Sequence, residues 1–529
     1  MKDWTPLVED GPTYSELLEE ISVNNRTQMD FVAFHAARQP RRLVAMDMRP
    51  LGAWTYAELD DEIARCVAVL AGRGIGRGDR VAVLARNCVH LIVLHLACSR
   101  HGAIFVALNW RLAAAELTEI VADAAPSLLV FDDASESLAM TCAPDHSRLP
   151  MKDLRNAIAT ASPIDAARAD DDVPSLLLYT SGTSGRSKGV MLSERNAFFT
   201  GVNFALATQV DRQSALLCDA PMFHVIALVI GLRAVLQQGA AILVSDGFEP
   251  VTTNMRIGDP SLAVTHYFCV PQMAAALRAA KNFDASRLAR LTALVVGGAP
   301  MDQDSVLAWL DDGIMLANGF GMTEIGAGAA MPLDLSIIRA RPMSAGVFPP
   351  TQQARVVAPD GREAPVGTPG EIWVKGPNVS GGYWNRPDET ASAFTADGWF
   401  KTGDIGFIEA GGYLTLVDRK KDMYISGGEN VYPAEVEKVL KMCPGVAEAA
   451  VFGTADPRWG EVGYACVVPE GEPELTSDKL RLFCTERLAG YKVPKYFVLV
   501  NELPRTGSGK VLKHVLRHQV AEGRTGLLA

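Results

Sequence analysis

Short runs of Val, Ile, Leu and Phe alternate with longer segments of helical periodicity through the first half of the chain. Short, continuously apolar runs are typical of strands that are buried on both faces, as in parallel sheets. The helical segments between them favour crossovers that cover both faces of a sheet. The sequence therefore predicts a doubly wound α/β architecture, with strands at Val81–Leu84, Ala103–Leu108, Leu128–Phe131, Ala241–Val244 and Leu291–Val296.

The texture of the sequence changes twice after this α/β region. Short strands punctuated by Gly and Pro between Gly361 and Tyr413 favour a compact β-rich subdomain. The charged run Asp418–Asp422 then precedes a segment of mixed helix and strand, and a charged run between two textures is typical of a domain boundary. Taken alone, that run also fits a solvated loop. We expect a multi-subdomain N-terminal domain over residues 1–418 and a small α+β domain over residues 419–529.

Composition excludes several classes of function. The 529 residues carry 50 basic and 61 acidic side chains, a formal net charge of −11, which argues against nucleic acid as a general partner. Nine cysteines with no CxxC pair suit a reducing compartment and buried thiols. No apolar signal stretch opens the sequence, and the apolar stretch Val89–Leu108 is interrupted by His and Arg. We therefore expect a cytoplasmic protein with no transmembrane segment.

The segment Leu176–Val190, LLLYTSGTSGRSKGV, is the strongest local signal of chemistry. An apolar strand runs into Thr, Ser, Gly, Arg and Lys, whose backbone amides, hydroxyls and cations can surround phosphate oxygens. Ser187 and Gly189 stand where a Walker A loop needs Gly and then Ser or Thr, so an ordinary P-loop nucleotidase is disfavoured. Taken alone, the segment fits a flexible turn equally well.

Two further glycine-rich segments follow apolar runs, where α/β sheets bind ligands at the carboxyl ends of strands. The first is Asn318–Glu324, NGFGMTE, whose glycines let a flat base approach the backbone. Phe320 offers a stacking face and Thr323 a hydroxyl, and Glu324 is a hard carboxylate suited to Mg²⁺. The second is Gly297–Pro300, GGAP. Either segment alone is also typical of a plain turn.

Later segments add isolated polar candidates, each of which alone also fits a solvated turn. Asp404 lies on the glycine-bounded turn WFKTGDIG, where a carboxylate can accept both ribose hydroxyls. Arg419 precedes the pair Gly427 and Gly428, which lets a narrow cofactor arm pass close to the backbone. Lys510 ends the Gly/Ser loop PRTGSGK, which favours a mobile cation.

In this order, YTSGTSGRSKG, PMFH, GGAP, GFGMTE, WFKTGD, DRKKDMYISGGENVYP and PRTGSGK cover most of residues 175–510. The set resembles the adenylate-forming superfamily of acyl-CoA and aryl-CoA synthetases, luciferases and nonribosomal peptide adenylation domains, and is most similar to fatty-acid or aryl-acid CoA ligases. The resemblance implies a C-terminal domain that rotates between two half-reactions. A carboxylate attacks the α-phosphate of ATP to give an acyl-adenylate and pyrophosphate, and the thiol of coenzyme A then displaces AMP.

The resemblance also implies roles for residues of this chain. Lys510 would bridge the substrate carboxylate and the α-phosphate, Thr323 would contact that phosphate, and Glu324 would bind Mg²⁺. Lys421 matches the hinge. His224, in PMFH, is grouped with the catalytic residues, although a lone histidine before an apolar segment is more often a core residue. The implied nucleotide- and cofactor-binding residues are Thr180, Ser181, Gly182, Thr183, Ser184, Gly185, Lys188, Gly298, Ala299, Pro300, Asn318, Gly319, Phe320, Asp404, Arg419, Gly427 and Gly428.

We therefore expect an ATP-dependent acid:CoA ligase that uses Mg²⁺ and acts on a hydrophobic fatty or aryl acid. An enzyme that passes the acyl group to a carrier protein shares the first half-reaction, and a nucleotide-binding sensor without turnover is the alternative from another class. The sequence does not disclose the acid or the oligomeric state, for which a homodimer is one option. The residues expected to line the acyl pocket are Phe223, Val225, Cys269, Gly298 and Gly321.

Overall fold

The computed structural model describes residues 30–48, 51–164, 171–181, 187–299, 301–420, 422–426, 429–470, 475–505 and 511–521. Its strands are β1 Leu43–Met48, β2 Leu51–Thr55, β3 Arg80–Leu84, β4 Ile104–Ala107, β5 Leu128–Phe131, β6 Arg148–Pro150, β7 Pro174–Ser181, β8 Ser187–Ser193, β9 Ala215–Cys218, β10 Ala241–Val244, β11 His266–Cys269, β12 Ala293–Val296, β13 Leu316–Met322, β14 Gly326–Ala330, β15 Gln353–Val357, β16 Gly370–Lys375, β17 Phe400–Ile408, β18 Leu414–Arg419, β19 Tyr424–Ser426, β20 Glu429–Val431, β21 Val446–Asp456, β22 Gly460–Pro469 and β23 Tyr496–Leu499.

The α-helices are α1 Phe31–Arg38, α2 Tyr56–Gly72, α3 Val89–His101, α4 Ala114–Ala124, α5 Glu136–Cys142, α6 Met151–Thr160, α7 Glu194–Thr208, α8 Leu232–Gln238, α9 Pro250–Gly258, α10 Pro271–Ala279, α11 Ala285–Leu288, α12 Gln303–Asp311, α13 Leu335–Ala340, α14 Pro387–Ala393, α15 Pro433–Lys441, α16 Ser477–Thr485 and α17 Lys513–Ala521. A π-helical turn, Ile226–Gly231, leads into α8. No helix within the described residues is both long and apolar enough to cross a membrane.

Two large sheets with mostly parallel strands form the N-terminal part of the structure. One has six strands in the order β6-β5-β3-β4-β7-β8, and only the β7–β8 pair is antiparallel. The other has eight strands in the order β14-β13-β12-β11-β9-β10-β1-β2, with antiparallel pairs at its two edges. The strand order departs from chain order, so helices cross over between parallel neighbours. The predicted doubly wound α/β architecture is confirmed.

The apolar pattern located the central strands well. Leu128–Phe131 and Ala241–Val244 have the predicted bounds, and every residue of the first is buried. The helix α3 is buried on nearly all sides because it packs between layers, which accounts for its unbroken apolar pattern. The main core joins α2, α3 and the π-helical turn to both sheets. This packing fixes the carboxyl ends of strands from two sheets relative to each other.

Two smaller sheets complete the fold. The predicted β-rich subdomain is the four-stranded antiparallel sheet β15-β16-β17-β18. Its core side chains also pack against β13, in a cluster that includes Phe320 and Phe400. The C-terminal sheet has five strands, in the order β20-β19-β22-β21 with β23 on β22, and carries α15 and α16 on its core. The two textures of the sequence thus correspond to two separate sheets.

Candidate active site

The Gly/Ser/Thr-rich segment closes a β-hairpin. Strands β7 and β8 pair antiparallel, with Thr180 opposite Lys188 and Ser181 opposite Ser187. The sequence indicated a strand that enters a long loop, but only residues 182–186 separate the two strands. Thr180 and Lys188 therefore flank the tip of the hairpin. The predicted residues Gly182, Thr183, Ser184 and Gly185 lie outside the described residues.

Lys188 is held by two side chains from a distant part of the chain. Its ammonium group forms an ion pair with Glu389. It also lies 5.1 Å from the centroid of the Tyr383 ring, within the range of a cation–π contact. Only 17% of the Lys188 side chain is exposed. The cation predicted for a phosphate site is therefore oriented in advance.

Glu324 lies in the turn between β13 and β14, beside Thr323. The Tyr383 hydroxyl donates to Glu324 Oε1 over 3.0 Å, and the backbone amide of Ser380 donates to the Glu324 carbonyl over 2.7 Å. Glu324 is buried and Thr323 is half-buried. Tyr383 thus contacts both the predicted phosphate lysine and the predicted metal carboxylate, which are far apart in sequence.

The segment that carries Tyr383 is fixed by main-chain hydrogen bonds to β8. The Met191 amide donates to the Gly382 carbonyl over 2.9 Å, and the Trp384 amide donates to the Gly189 carbonyl over 2.7 Å. Gly382 has φ +110°, and a Cβ there would lie 2.3 Å from Thr390 Cγ2, so glycine is needed at this position. Residues 381–384 therefore act as an added strand beside the hairpin.

The start of α7 clamps the same segment from the other side. Ser193 and Asn196 form a capping box at the helix N-terminus. The Asn196 amide group also donates to the carbonyls of Pro377 and Val379, over 2.9 and 2.8 Å. Helix capping and the placement of Tyr383 thus depend on one side chain.

Tyr383 and Glu389 are the functional candidates that sequence reasoning missed. They lie in the segment GGYWNRPDET, within the Gly- and Pro-rich region 361–413 whose pattern predicts only a β-rich subdomain. Its ring and carboxylate have no spacing typical of a metal or phosphate site. The available signal was the glycine pair before Tyr383, which indicates a close approach of two backbones.

The two glycine-rich segments lie side by side on neighbouring strands. Val296 and Asn318 are partners in the parallel pair β12–β13, so Gly298 and Gly319 follow at the same sheet edge. A Cβ on Gly297 would lie 2.9 Å from Phe268 Cζ, so this edge has no room for a larger residue there. Ala299 is half-buried at the same edge, and Pro300 lies outside the described residues.

Two side chains of this edge differ from their expected settings. Asn318 donates to the Pro342 carbonyl over 2.9 Å, so its amide supports a loop of the protein. Phe320 is 7% exposed and packs in the core beside Phe348, because β13 continues through Met322 and turns this ring toward the β-rich sheet. Little of the ring is left to stack on a base.

Asp404 lies within β17 rather than on a turn. Its strand pairs on both sides, and the β17–β18 pairing shifts register between Ile405 and Gly406. Gly403 has φ +70°, and the Asp404 amide donates to Thr402 Oγ1 over 3.1 Å. Asp404 is directly opposite Arg419 in this pair, so the backbone brings the two predicted ribose ligands together.

His224 begins the buried segment that precedes α8. Its ring centroid lies 4.5 Å from that of Phe223, and Phe223 in turn contacts Trp110 edge-on at 6.2 Å. Asn87 binds the preceding backbone at two points, donating to the Ala220 carbonyl over 2.9 Å and accepting from the Met222 amide over 2.8 Å. The π-helical turn follows at once, a feature that is frequent at functional sites.

The proposed pocket residues follow the same pattern of strand ends. Phe223 and Val225 are buried after β9, and Cys269 is buried at the end of β11. Gly298 and Gly321 belong to the edge already described. The predicted residues Lys421, Gly427, Gly428 and Lys510 lie outside the described residues.

The donor set near Tyr383 limits the kind of metal site. The described residues contain no cluster of three or more His, Cys, Asp or Glu side chains able to enclose an ion. Mg²⁺ is commonly held by one or two carboxylates together with substrate phosphates. Glu324 beside a hairpin that is predicted to bind phosphate fits that pattern, so the residues present fit Mg²⁺ bound jointly with a nucleotide.

Comparison with known proteins agrees with this geometry. A family model described as AMP-binding enzyme matches residues 32–384, and one described as AMP-binding enzyme C-terminal domain matches residues 435–510. A feruloyl-CoA synthase of Amycolatopsis sp is 40% identical over 468 residues, which are 88% of this chain and 94% of that protein.

Two solved structures of MatB from Rhodopseudomonas palustris also match. The ATP-bound structure is 31% identical, with 93% of this chain and 99% of that chain covered and a TM-score of 0.86. The apo structure has the same identity and coverage, with a TM-score of 0.75.

The fold and the site together define a nucleotide-dependent ligase that activates carboxylic acids. The chain belongs to the AMP-binding enzyme family, the adenylate-forming enzymes. It is an AMP-forming acid:CoA ligase, with ATP, coenzyme A and a carboxylic acid as substrates, and it works through an acyl-adenylate.

Proposed function

We propose that this ligase acts on a hydrophobic aromatic carboxylic acid. The rings of Phe223 and His224, 4.5 Å apart, and the buried apolar π-helical turn behind them support an apolar pocket with aromatic walls. Val225, Cys269, Gly298 and Gly321 complete the proposed lining. The feruloyl-CoA synthase relative supports an aryl acid over an unbranched fatty acid.

The hairpin tip binds the β- and γ-phosphates through Thr180 to Lys188 in this proposal. The observation that supports it best is the meeting of Lys188 and Glu324 on the same tyrosine. Thr323 contacts the α-phosphate, and the Asp404–Arg419 pair binds the ribose. Close approach of the nucleotide and cofactor to the backbone is provided by the glycines at the adjacent sheet edge and by the pair Gly427 and Gly428. Phe320 supports the adenine site from within the core.

Glu324 is the proposed protein ligand of Mg²⁺, together with phosphate oxygens. When bound, the ion neutralises charge on the triphosphate and on the pyrophosphate that leaves. Lys510 provides the second positive charge, between the substrate carboxylate and the α-phosphate. Two cations are required because an anion must approach a polyanion in this step.

We place the domain boundary at residue 418, with Lys421 as the hinge. The contacts that span this region include the ion pair of Lys420 with Glu371 at 3.0 Å and the hydrogen bond that the Ala434 amide donates to Asp418 over 2.7 Å. The better match to ATP-bound than to apo MatB supports an arrangement suited to adenylation.

We also propose a cytoplasmic location, since all nine cysteines are unpaired, and we retain the homodimer as an expectation.

Pyrophosphate release from ATP tests the proposal, with and without coenzyme A, over a panel of ferulic, benzoic and straight-chain fatty acids. We expect the highest rates with aryl acids and AMP formation that accelerates when coenzyme A is added. A preference for fatty acids would overturn the proposed acid. If none of the acids in the panel supports pyrophosphate release, the result would favour the nucleotide-binding sensor.

Lys510→Ala tests the assignment of the catalytic lysine. Acyl-adenylate formation should fall by roughly 10²- to 10³-fold, the range for one preorganised group that stabilises charge. Thioester formation from supplied acyl-adenylate should be retained. Lys513→Ala is the control, because Lys513 is a nearby lysine of the same domain that pairs with Glu437 at 2.7 Å. Equal loss of both half-reactions in Lys510→Ala would contradict the assignment.

A further inference from the structure

Tyr383 is the one residue that links the hairpin to Glu324 among the contacts described above. Its hydroxyl donates to Glu324 Oε1 over 3.0 Å, and its ring lies under the Lys188 ammonium group. The hydroxyl and the ring of one side chain thus contact the carboxylate and the cation respectively.

The tyrosine is itself held rigidly. Its backbone bridges to Val190 of β8, and its amide donates to Thr390 Oγ1 over 2.9 Å. The next residue, Trp384, is bonded to Gly189 as described above. A hydrogen-bond donor on so fixed a backbone can select one rotamer of the carboxylate that it binds.

We propose that Tyr383 is a positioning residue for the metal site: it holds the Glu324 carboxylate so that the second oxygen faces the triphosphate and its Mg²⁺. This inference deepens the proposed function and rests on its assignment of Glu324 to the metal. Tyr383 does not touch the reacting atoms. It acts through Glu324, in the way that hydrogen-bond partners of metal ligands orient those ligands and raise metal affinity.

The test is Tyr383→Phe, which removes the hydroxyl and keeps the ring under Lys188. We expect the Mg²⁺ concentration for half-maximal pyrophosphate release to rise by about tenfold, the lower end of the effect of losing such a partner. Calorimetry supplies a readout without turnover. ATP should bind more weakly to the variant when Mg²⁺ is present, and equally to both proteins when EDTA is present.

A double-mutant cycle separates this inference from the proposed function. If Tyr383 acts through Glu324, the variant with both Tyr383→Phe and Glu324→Gln should depend on Mg²⁺ no differently from Glu324→Gln alone. Additive effects would overturn the positioning role. An unchanged Mg²⁺ dependence in Tyr383→Phe, alongside a large change in Glu324→Gln, would overturn the inference and leave the metal assignment standing. No change in Glu324→Gln would overturn both.

Tyr56→Phe is the matched control for loss of a buried hydroxyl. Tyr56 donates to the Ala240 carbonyl over the same distance, 3.0 Å, in the core between α2 and β10. Its loss should lower the melting temperature and leave the Mg²⁺ dependence unchanged. If both variants shift the Mg²⁺ dependence equally, the effect of Tyr383→Phe is a general loss of packing and the inference is wrong.

Discussion

Two buried glutamates, Glu194 at the start of α7 and Glu324 beyond β13, have similar exposures of 5% and 7% but different partners. Glu194 accepts from Ser175 Oγ over 2.8 Å and is paired with both terminal nitrogens of Arg233. Arg233 also donates to His95 Nε2 over 2.9 Å. Glu324 accepts instead from a neutral phenol, that of Tyr383.

The difference shows how the same side chain can serve structure or chemistry. A guanidinium with two hydrogen bonds neutralises Glu194 inside the core, and this cluster joins α3, α7 and α8. A tyrosine hydroxyl orients a carboxylate without neutralising it. Beside the hairpin, a carboxylate oriented in this way suits the metal role proposed for Glu324.

The largest expected effect is on the stability of the protein when the buried cluster of Glu194, Arg233 and His95 loses its cation. Arg233→Met leaves Glu194 buried without its cation and should lower the free energy of unfolding by about 3–5 kcal/mol. Chemical denaturation measures this loss. Arg362→Met is the control, since Arg362 forms an exposed ion pair with Asp360 at 2.6 Å and should change stability little. If the free energy of unfolding falls by a similarly small amount in both variants, Glu194 does not depend on Arg233 for its place in the core and the contrast with Glu324 is wrong.

The counterpart of that prediction concerns catalysis. Glu324→Gln should slow acyl-adenylate formation by about 100-fold, because the amide can accept from Tyr383 but cannot balance the charge of Mg²⁺. The denaturation midpoint should stay close to that of the parent. Pyrophosphate release at saturating acid measures the rate. A folded variant with full activity would show that Glu324, like Glu194, has a structural role.

The stability of the protein should decrease at acidic pH because His95, in the cluster with Glu194 and Arg233, is buried in its neutral form. Arg233 is only a donor, so His95 Nε2 must accept and the ring is neutral; burial, then Arg233, lowers the pKa of His95 to about 3. The unfolded chain binds this proton near pH 6.5, so stability should fall as the pH drops from 6.5 toward 3, by at most about 1.4 kcal/mol per pH unit.

His95→Gln tests this dependence, since glutamine can accept the same hydrogen bond and does not titrate. Unfolding free energies measured between pH 4.5 and 6.5 should vary less with pH in the variant than in the parent. Parallel curves for the two proteins would assign the acid sensitivity to other groups.

The smallest effect, on the KM for ATP, is expected at the partly exposed ion pair of Lys188 and Glu389. Glu389→Gln removes a carboxylate that pairs with Lys188 and would repel a bound triphosphate. The KM for ATP should fall by about twofold to fivefold, the range for a partly exposed ion pair, and less at high salt. Initial rates at two ionic strengths measure this. A rise in KM would mean that Glu389 acts chiefly by holding Lys188 in place.

Sequence reasoning found the architecture because its evidence is local. The apolar run at Leu128–Phe131 predicts the strand with its bounds, and the glycines that follow β12 and lie within β13 indicate a ligand-binding edge. It places Asp404 on a turn, where the structure has a strand, and it does not reveal that the ring of Phe320 packs in the core. Both residues lie in strands whose length was decided by pairing with neighbours that the local pattern does not reveal.

The ordered set of motifs predicted the chemistry of this chain, because the set as a whole resembles the adenylate-forming superfamily although each motif alone also fits a turn. Only the tertiary structure decided which groups meet. Tyr383 and Glu324 are 59 residues apart, and Arg233 and His95 are 138 apart. Such contacts arise when sheets and helices pack together, and the spacing of these residues along the chain does not indicate that they will meet. The sequence predicts Glu324 as a metal ligand, whereas the partners of both glutamates, Tyr383 for one and Arg233 for the other, came from packing.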